Sequence, residues 1–208
     1  LAVTNILEAE TFYSHSDHSD QDDARDAKPH QIIILPTGAG KSLCFMLPSL
    51  LLSGVTMVIF PLLGLISDQA RRCEEADIPY GVLRGGQSNQ EREQVWEAMT
   101  RNRLRILLTN PETALSPRVL EKLKMVNLSL LVVDEMHTVS EWGDTFRPVY
   151  LELGHLVEEA RIPLVTAFTA TASDHILKRV REIIFPHSSP HLIRADPDRL
   201  NITYRVIP

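Results

Sequence analysis

Cysteine is scarce in this 208-residue sequence, and long apolar runs and an excess of positive charge are lacking. Each lack removes a class of protein. Cys44 and Cys73 are too few for a disulfide framework or a four-cysteine zinc site, so both read as small core thiols in a reducing compartment. No apolar stretch approaches the roughly 20 residues that span a bilayer, which argues against a membrane partner. The first residues lack a basic segment followed by an apolar core, so no secretory signal is read there. The formal net charge of −6 has the wrong sign for a molecule coated with phosphate-binding side chains. Its distribution is uneven, however. Residues 1–30 carry seven acidic side chains against Arg25 and Lys28, and the rest of the chain is close to neutral. Acidity therefore belongs to a leader, and a nucleic-acid partner stays open.

What is present is a regular alternation of elements. Residues 1–13 predict a short amphipathic helix with Val3, Ile6 and Leu7 on one side. Residues 14–30 are almost wholly polar and read as a flexible linker. Within it His15, Asp17, His18 and Asp20 have metal-ligand chemistry, but linker is the better reading. From residue 31 onward, β-branched apolar runs at Ile32–Leu35, Val55–Phe60, Leu104–Leu108, Leu128–Val133 and Leu164–Phe168 predict buried strands. Helical patterns fall between them at 41–52, 62–76, 89–101, 116–124, 148–160 and 173–184. Ser116 before Pro117, and Ser173 before Asp174, supply helix-start chemistry. Continuous apolar strands separated by helices predict an α/β fold, with a central parallel sheet covered on both faces. The organisation expected is a leader over 1–30 and one α/β domain over 31–208.

Three strand ends carry the chemistry. Pro36-Thr37-Gly38-Ala39-Gly40-Lys41-Ser42 follows the first strand and opens a helix. Small residues there let backbone N–H groups wrap a polyphosphate, and the helix N-terminus adds its positive end. Lys41 suits the β- and γ-phosphates and the Ser42 hydroxyl suits Mg²⁺, so ATP with Mg²⁺ is the expected ligand. The full phosphate-loop template would place glycine at 35, where this chain has Leu35. Asp134-Glu135 ends the strand Leu128–Val133, where open α/β sheets bind ligands. Asp134 is positioned to hold Mg²⁺ and Glu135 to polarise an attacking water. Thr169 and Thr171 follow the strand Leu164–Phe168 and can bridge a nucleotide site to a nucleic-acid site.

With these residues in view, Leu35–Leu51, Val132–Leu156 and Phe168–Ser173 resemble motifs I, II and III of the RecQ-family DNA helicases of superfamily 2. Phe60–Leu65 with Asp68-Gln69 is similar to motif Ia, and Asn110-Pro111-Glu112 to a nucleic-acid-contacting motif. Asp198–Tyr204 is similar to the segment joining the two motor domains. The resemblance runs over about 31–208. It implies a RecA-like, three-layer P-loop NTPase domain in which Lys41, Asp134, Glu135 and His137 form the catalytic group. Ser140–Pro148, with Trp142, Phe146 and Arg147, is similar to the family's aromatic loop, which senses single-stranded DNA. Stacking of Trp142 and Phe146 on bases is physically reasonable. The alternative is that both anchor the following helix in the core. The resemblance further implies 3′-to-5′ unwinding of duplex DNA, work in DNA repair or recombination, and a nuclear location in a eukaryote.

Three departures accompany the resemblance. Met136 stands where the family has alanine, and the upstream adenine-reading pattern is not recognisable, the sequence reading as if it opens inside the helix that follows it. A second motor domain, with its arginine, does not follow Pro208. The opening Leu1 and that absent half read as a fragment, expected alone to bind Mg-ATP weakly and turn it over poorly. Two other readings remain: a superfamily 2 ATPase acting on RNA, and a catalytically inactive nucleic-acid-binding fragment.

Overall fold

The computed structural model describes residues 1–15, 30–138 and 148–195. The linker around 16–29, the aromatic run at 139–147 and the segment Asp198–Tyr204 lie outside them. In chain order the elements are α1 (Ala2–His15), β1 (His30–Ile34), α2 (Lys41–Ser49), β2 (Val55–Ile59), α3 (Leu63–Glu75), β3 (Tyr80–Leu83) and α4 (Asn89–Thr100). There follow β4 (Ile106–Thr109), α5 (Pro111–Ala114), α6 (Pro117–Leu123), β5 (Leu128–Val133) and a 3₁₀ turn (Pro148–Glu152). The last are α7 (Leu153–Glu159), β6 (Leu164–Thr169), α8 (Asp174–Ile184) and β7 (His191–Arg194).

All strand pairings are parallel, in the order β3-β4-β2-β5-β6-β1-β7. The three-layer arrangement follows from the two-residue period of a strand. On β1, Ile32 and Ile34 enter one core while Ile33 enters the other; on β5, Leu131 and Val133 oppose Leu130 and Val132. The first core is roofed by α4, α6, α7 and α8 through Trp96, Leu123, Leu156 and Val180. The second is roofed by α1, α2 and α3 through Ile6, Phe45 and Ile66. Ile6 and Ala9 are thus core residues, and α1 packs on the sheet face with its sequence neighbours Val3 and Leu7 half-buried.

The sequence misses two strands, both at sheet edges. Tyr80–Leu83 has a glycine at its centre and buries only alternate residues. That glycine is a packing requirement, since a Cβ at Gly81 would meet Leu104 Cδ1 at 2.7 Å. His191–Arg194 is largely exposed and offers no apolar run; backbone pairing with β1 alone makes it a strand. Helix starts divide. The Ser173 hydroxyl accepts from the Ile176 N–H as expected, but Ser116 turns backwards and donates to the Thr113 carbonyl at 2.8 Å. The short helix α5 directly before it presents that carbonyl first. The helix expected over 148–160 opens as a 3₁₀ turn, and the one expected over 41–52 ends at Ser49.

Candidate functional site

The C-terminal edge of the sheet gathers the loops after β1, β5 and β6. After β1, Gly38 and Gly40 adopt φ values of 83° and 85°. A Cβ at Gly38 would meet nothing, so the loop needs glycine for backbone conformation rather than for space. Gly40 also serves as the N-cap of α2, with no side-chain hydrogen bond to the helix. The Leu43 N–H is taken by the Gly40 carbonyl at 3.0 Å, while the Lys41 and Ser42 N–H groups at the start of α2 have no capping side chain and can bind an anion.

Lys41 and Ser42 begin α2 on the pocket side. The Lys41 ammonium lies 2.9 Å from Glu135 Oε1 and 3.8 Å from Asp134 Oδ1. Burial pushes the Asp134 carboxyl above the usual carboxylate range; Lys41 pulls it down and Glu135 pushes it up. A buried acid in this condition favours a cation beside it. The Ser42 hydroxyl donates to Gln69 Oε1 at 3.0 Å and accepts from Arg72 at 3.2 Å.

After β5 the chain leaves the sheet sharply. The Asp134 N–H still reaches the Ile59 carbonyl at 3.0 Å, but Glu135 takes φ 50°, in the left-handed region. For a residue with a Cβ that conformation costs roughly 1–2 kcal/mol. It is held by the Glu135 N–H donating to Asp134 Oδ1 at 3.0 Å and by Thr138 Oγ1 donating to the Glu135 carbonyl at 2.8 Å. Met136 follows with its side chain wholly inside the core, and its N–H ties the turn to the Phe168 carbonyl at 2.8 Å. The departure at Met136 therefore faces away from the pocket.

His137 completes a relay between loops. Its Nδ1 lies 3.1 Å from Thr169 Oγ1 and 3.3 Å from Glu135 Oε2. Thr169 spends its hydroxyl proton on the Thr171 carbonyl at 2.8 Å, so Nδ1 must be the donor towards Thr169. The Thr171 N–H returns to Thr169 Oγ1 at 3.3 Å. Lys41, Glu135, His137 and Thr169 thereby connect the three motif-bearing loops.

A pocket of about 580 Å³ opens over these groups, lined by Thr37, Lys41, Ser42, Gln69, Asp134 and Glu135 among others. That volume is in the range of small-molecule sites. Pro36 and Ala39 complete the loop; Pro36 is half-buried and Ala39 exposed. Asn110, Pro111 and Glu112 stand elsewhere, after β4 and two strands from Asp134 on the same edge. There the Asn110 amide donates to Glu112 at 2.6 Å and Pro111 is buried. Trp142, Phe146 and Arg147 are outside the described residues. Arg72 and Glu75 are charged pocket residues that sequence reasoning passed over. Gln69 had a legible signal of its own, a polar side chain in the buried helical series Ile66, Gln69, Cys73.

Oxygen donors alone face the pocket at Ser42, Asp134 and Glu135, which suits a hard cation such as Mg²⁺. Among the described residues no cluster of three or more His, Cys, Asp or Glu could cage a metal by itself. A cation shared with substrate phosphates fits that sparse set.

A parallel sheet with a glycine loop, a half-buried lysine and paired carboxylates at one edge defines a P-loop NTPase domain of the RecA-like class. The DEAD/DEAH box helicase profile matches residues 20–180, and the chain belongs to that family, as a RecQ-like first motor domain. It is 41% identical over 177 residues to the probable ATP-dependent DNA helicase RecS of Bacillus subtilis, covering 84% of this chain and 35% of that protein. It is 41% identical over 182 residues to the ATP-dependent DNA helicase RecQ of Synechocystis, covering 84% and 38%. It spans little more than a third of those relatives. The fold matches the helicase domain of Pyrococcus furiosus Hef with a TM-score of 0.64 at 20% identity, over 96% of this chain and 39% of that one. No helix among the described residues is long and apolar enough to cross a membrane.

Proposed function

We propose that this chain is the nucleotide-binding half of an ATP-driven DNA motor of the RecQ kind, which couples ATP hydrolysis to translocation on single-stranded DNA and to unwinding of the duplex. The observation that carries the reading is the convergence of Lys41, Ser42, Asp134 and Glu135 on one pocket beneath an uncapped helix N-terminus. The loop 36–42 cradles the triphosphate with backbone N–H groups of the residues that follow Pro36, and Lys41 neutralises its outer phosphates. Ser42 and Asp134 hold Mg²⁺, which when bound offsets the phosphate charge and fixes the orientation of the terminal group.

Lys41 and Glu135 also mask each other in the free site. While the ammonium sits 2.9 Å from Glu135 Oε1, that oxygen is taken up by the lysine rather than by a water. Arriving phosphates compete for Lys41, and Glu135 is released to orient the attacking water and take its proton. His137, donating from Nδ1, links Glu135 to Thr169 and thus to the loop that continues towards the nucleic acid. Transition-state charge in related phosphoryl transfers takes an arginine worth about 10³–10⁵ in rate. A second RecA-like domain is its proposed source, so this half alone turns ATP over slowly.

DNA, rather than RNA, rests on the resemblance of Trp142, Phe146 and Arg147 to the family's sensing loop and on the relatives named as DNA helicases. Asn110, Pro111, Glu112 and Thr171 are assigned to the same nucleic-acid track. The 3′-to-5′ direction and a role in repair or recombination come from the family resemblance. A nuclear location applies to a eukaryotic source, and the bacterial relatives give it no support. Lys41→Ala is expected to abolish nucleotide binding with the fold retained, and Glu135→Gln to bind ATP without turnover. Unchanged ATP affinity in the first, or surviving hydrolysis in the second, contradicts these roles.

A further inference from the structure

Ser42 has two partners of opposite character. Arg72 reaches the hydroxyl from an exposed position on α3, and can leave when another cation approaches. Gln69 cannot leave. Its residue is 4% exposed, its Oε1 accepts from Ser42 at 3.0 Å, and its Nε2 donates to Met46 Sδ at 3.1 Å. A hydrogen bond from Gln69 also partly offsets the upward push of burial on the Cys73 thiol. The sulfur surroundings fix the orientation of the amide. Reversing it would aim its oxygen at a thioether that has no proton to give, and would take away the acceptor that receives the Ser42 hydroxyl proton.

We propose that Gln69 is a positioning residue for the cation-binding hydroxyl: its buried amide oxygen takes the Ser42 proton and turns the hydroxyl lone pairs towards the Mg²⁺ that accompanies the nucleotide. The proposal rests on the reading of Ser42 as a Mg²⁺ ligand. A free hydroxyl can spend its proton on phosphate or water and point its lone pairs elsewhere; one tied to Gln69 keeps them aimed at the cation. Partners of this kind, one step behind the ligand, typically change metal affinity by about 10- to 100-fold. Gln69 does this from α3, so the helix after β2 is coupled to the phosphate loop through one buried amide.

The test uses the intact protein and a fluorescent ADP analogue, titrated with Mg²⁺ and compared in EDTA. Gln69→Leu keeps the volume and removes the acceptor; Gln69→Glu keeps an acceptor oxygen at the same reach. The expected result is a rise of about tenfold or more in the Mg²⁺ concentration for half-maximal tightening in Gln69→Leu. The loss should be confined to the Mg²⁺-dependent part of binding and largely restored in Gln69→Glu. In a Ser42→Ala background, Gln69→Leu should add nothing, because the two residues act as one unit. Unaltered Mg²⁺ dependence in Gln69→Leu overturns the proposal, as does an equal loss of affinity with and without Mg²⁺. A wild-type protein that binds the analogue without any Mg²⁺ dependence would instead overturn the assignment of Ser42 itself.

Discussion

Replacing Met136 by the alanine typical of the resembled family should weaken this protein. Met136 has no exposed surface and belongs to the core cluster that also holds Val133, Tyr150, Leu153 and Ala167. Truncation removes three heavy atoms, at about 0.8 kcal/mol for each buried methylene-sized group. An unrelaxed hole of that size adds on the order of 1 kcal/mol, so Met136→Ala should cost about 2–4 kcal/mol. For a domain of this size about 3 kcal/mol lowers the melting temperature by roughly 6–12 °C. The assay is thermal or urea unfolding of the intact protein, followed by a probe in this domain. ATP turnover per folded molecule should persist, because the side chain faces away from Lys41, Asp134 and Glu135. An alanine variant as stable as the parent would refute the packing argument. A stable variant with faster turnover would show instead that Met136 acts on the pocket.

Two further perturbations bear on the fold. His30 is pushed down from the ordinary 6.5 to about 4 by burial, its Nδ1 has no hydrogen-bond partner among the described residues, and its ring lies 5.8 Å from Phe185. The unfolded chain takes up a proton below pH 6.5 that the folded one refuses. Stability is therefore complete above pH 6.5 and falls by about 3 kcal/mol as the pH drops to about 4. His30→Phe should flatten that part of the acid-unfolding curve, and an unchanged slope would remove His30 as its source. A Cβ at Gly154 would sit against the Ile183 carbonyl oxygen where α7 meets α8. Gly154→Ala should cost about 1–3 kcal/mol in urea unfolding; a neutral effect would mean the two helices can part freely.

Where the sequence was informative, it was because burial is written in composition. Ile32–Ile34, Leu130–Val133 and Val165–Phe168 are buried on both faces, so Thr166 is the one polar residue that interrupts them, and their ends mark the site. Gly38, Gly40, Lys41 and the Asp134-Glu135 pair were legible for the same reason, each sitting directly after such a run. Edge strands carry no comparable mark. His191–Arg194 is held by backbone pairing, and Tyr80–Leu83 is broken by a glycine that exists to admit Leu104. The left-handed turn at Glu135 was equally hidden, because it is held by a bond from Thr138 and a bond to the Asp134 carboxylate rather than by a glycine. Arg72 was passed over because its link to Ser42 joins positions 30 residues apart.

ATPase activity of the intact protein, with single-stranded DNA and RNA of equal length compared, tests the central claim most directly. The account predicts clear stimulation by DNA, little by RNA, and loss of turnover at both levels in Glu135→Gln. A folded, nucleotide-binding protein whose hydrolysis responds to neither nucleic acid would contradict it.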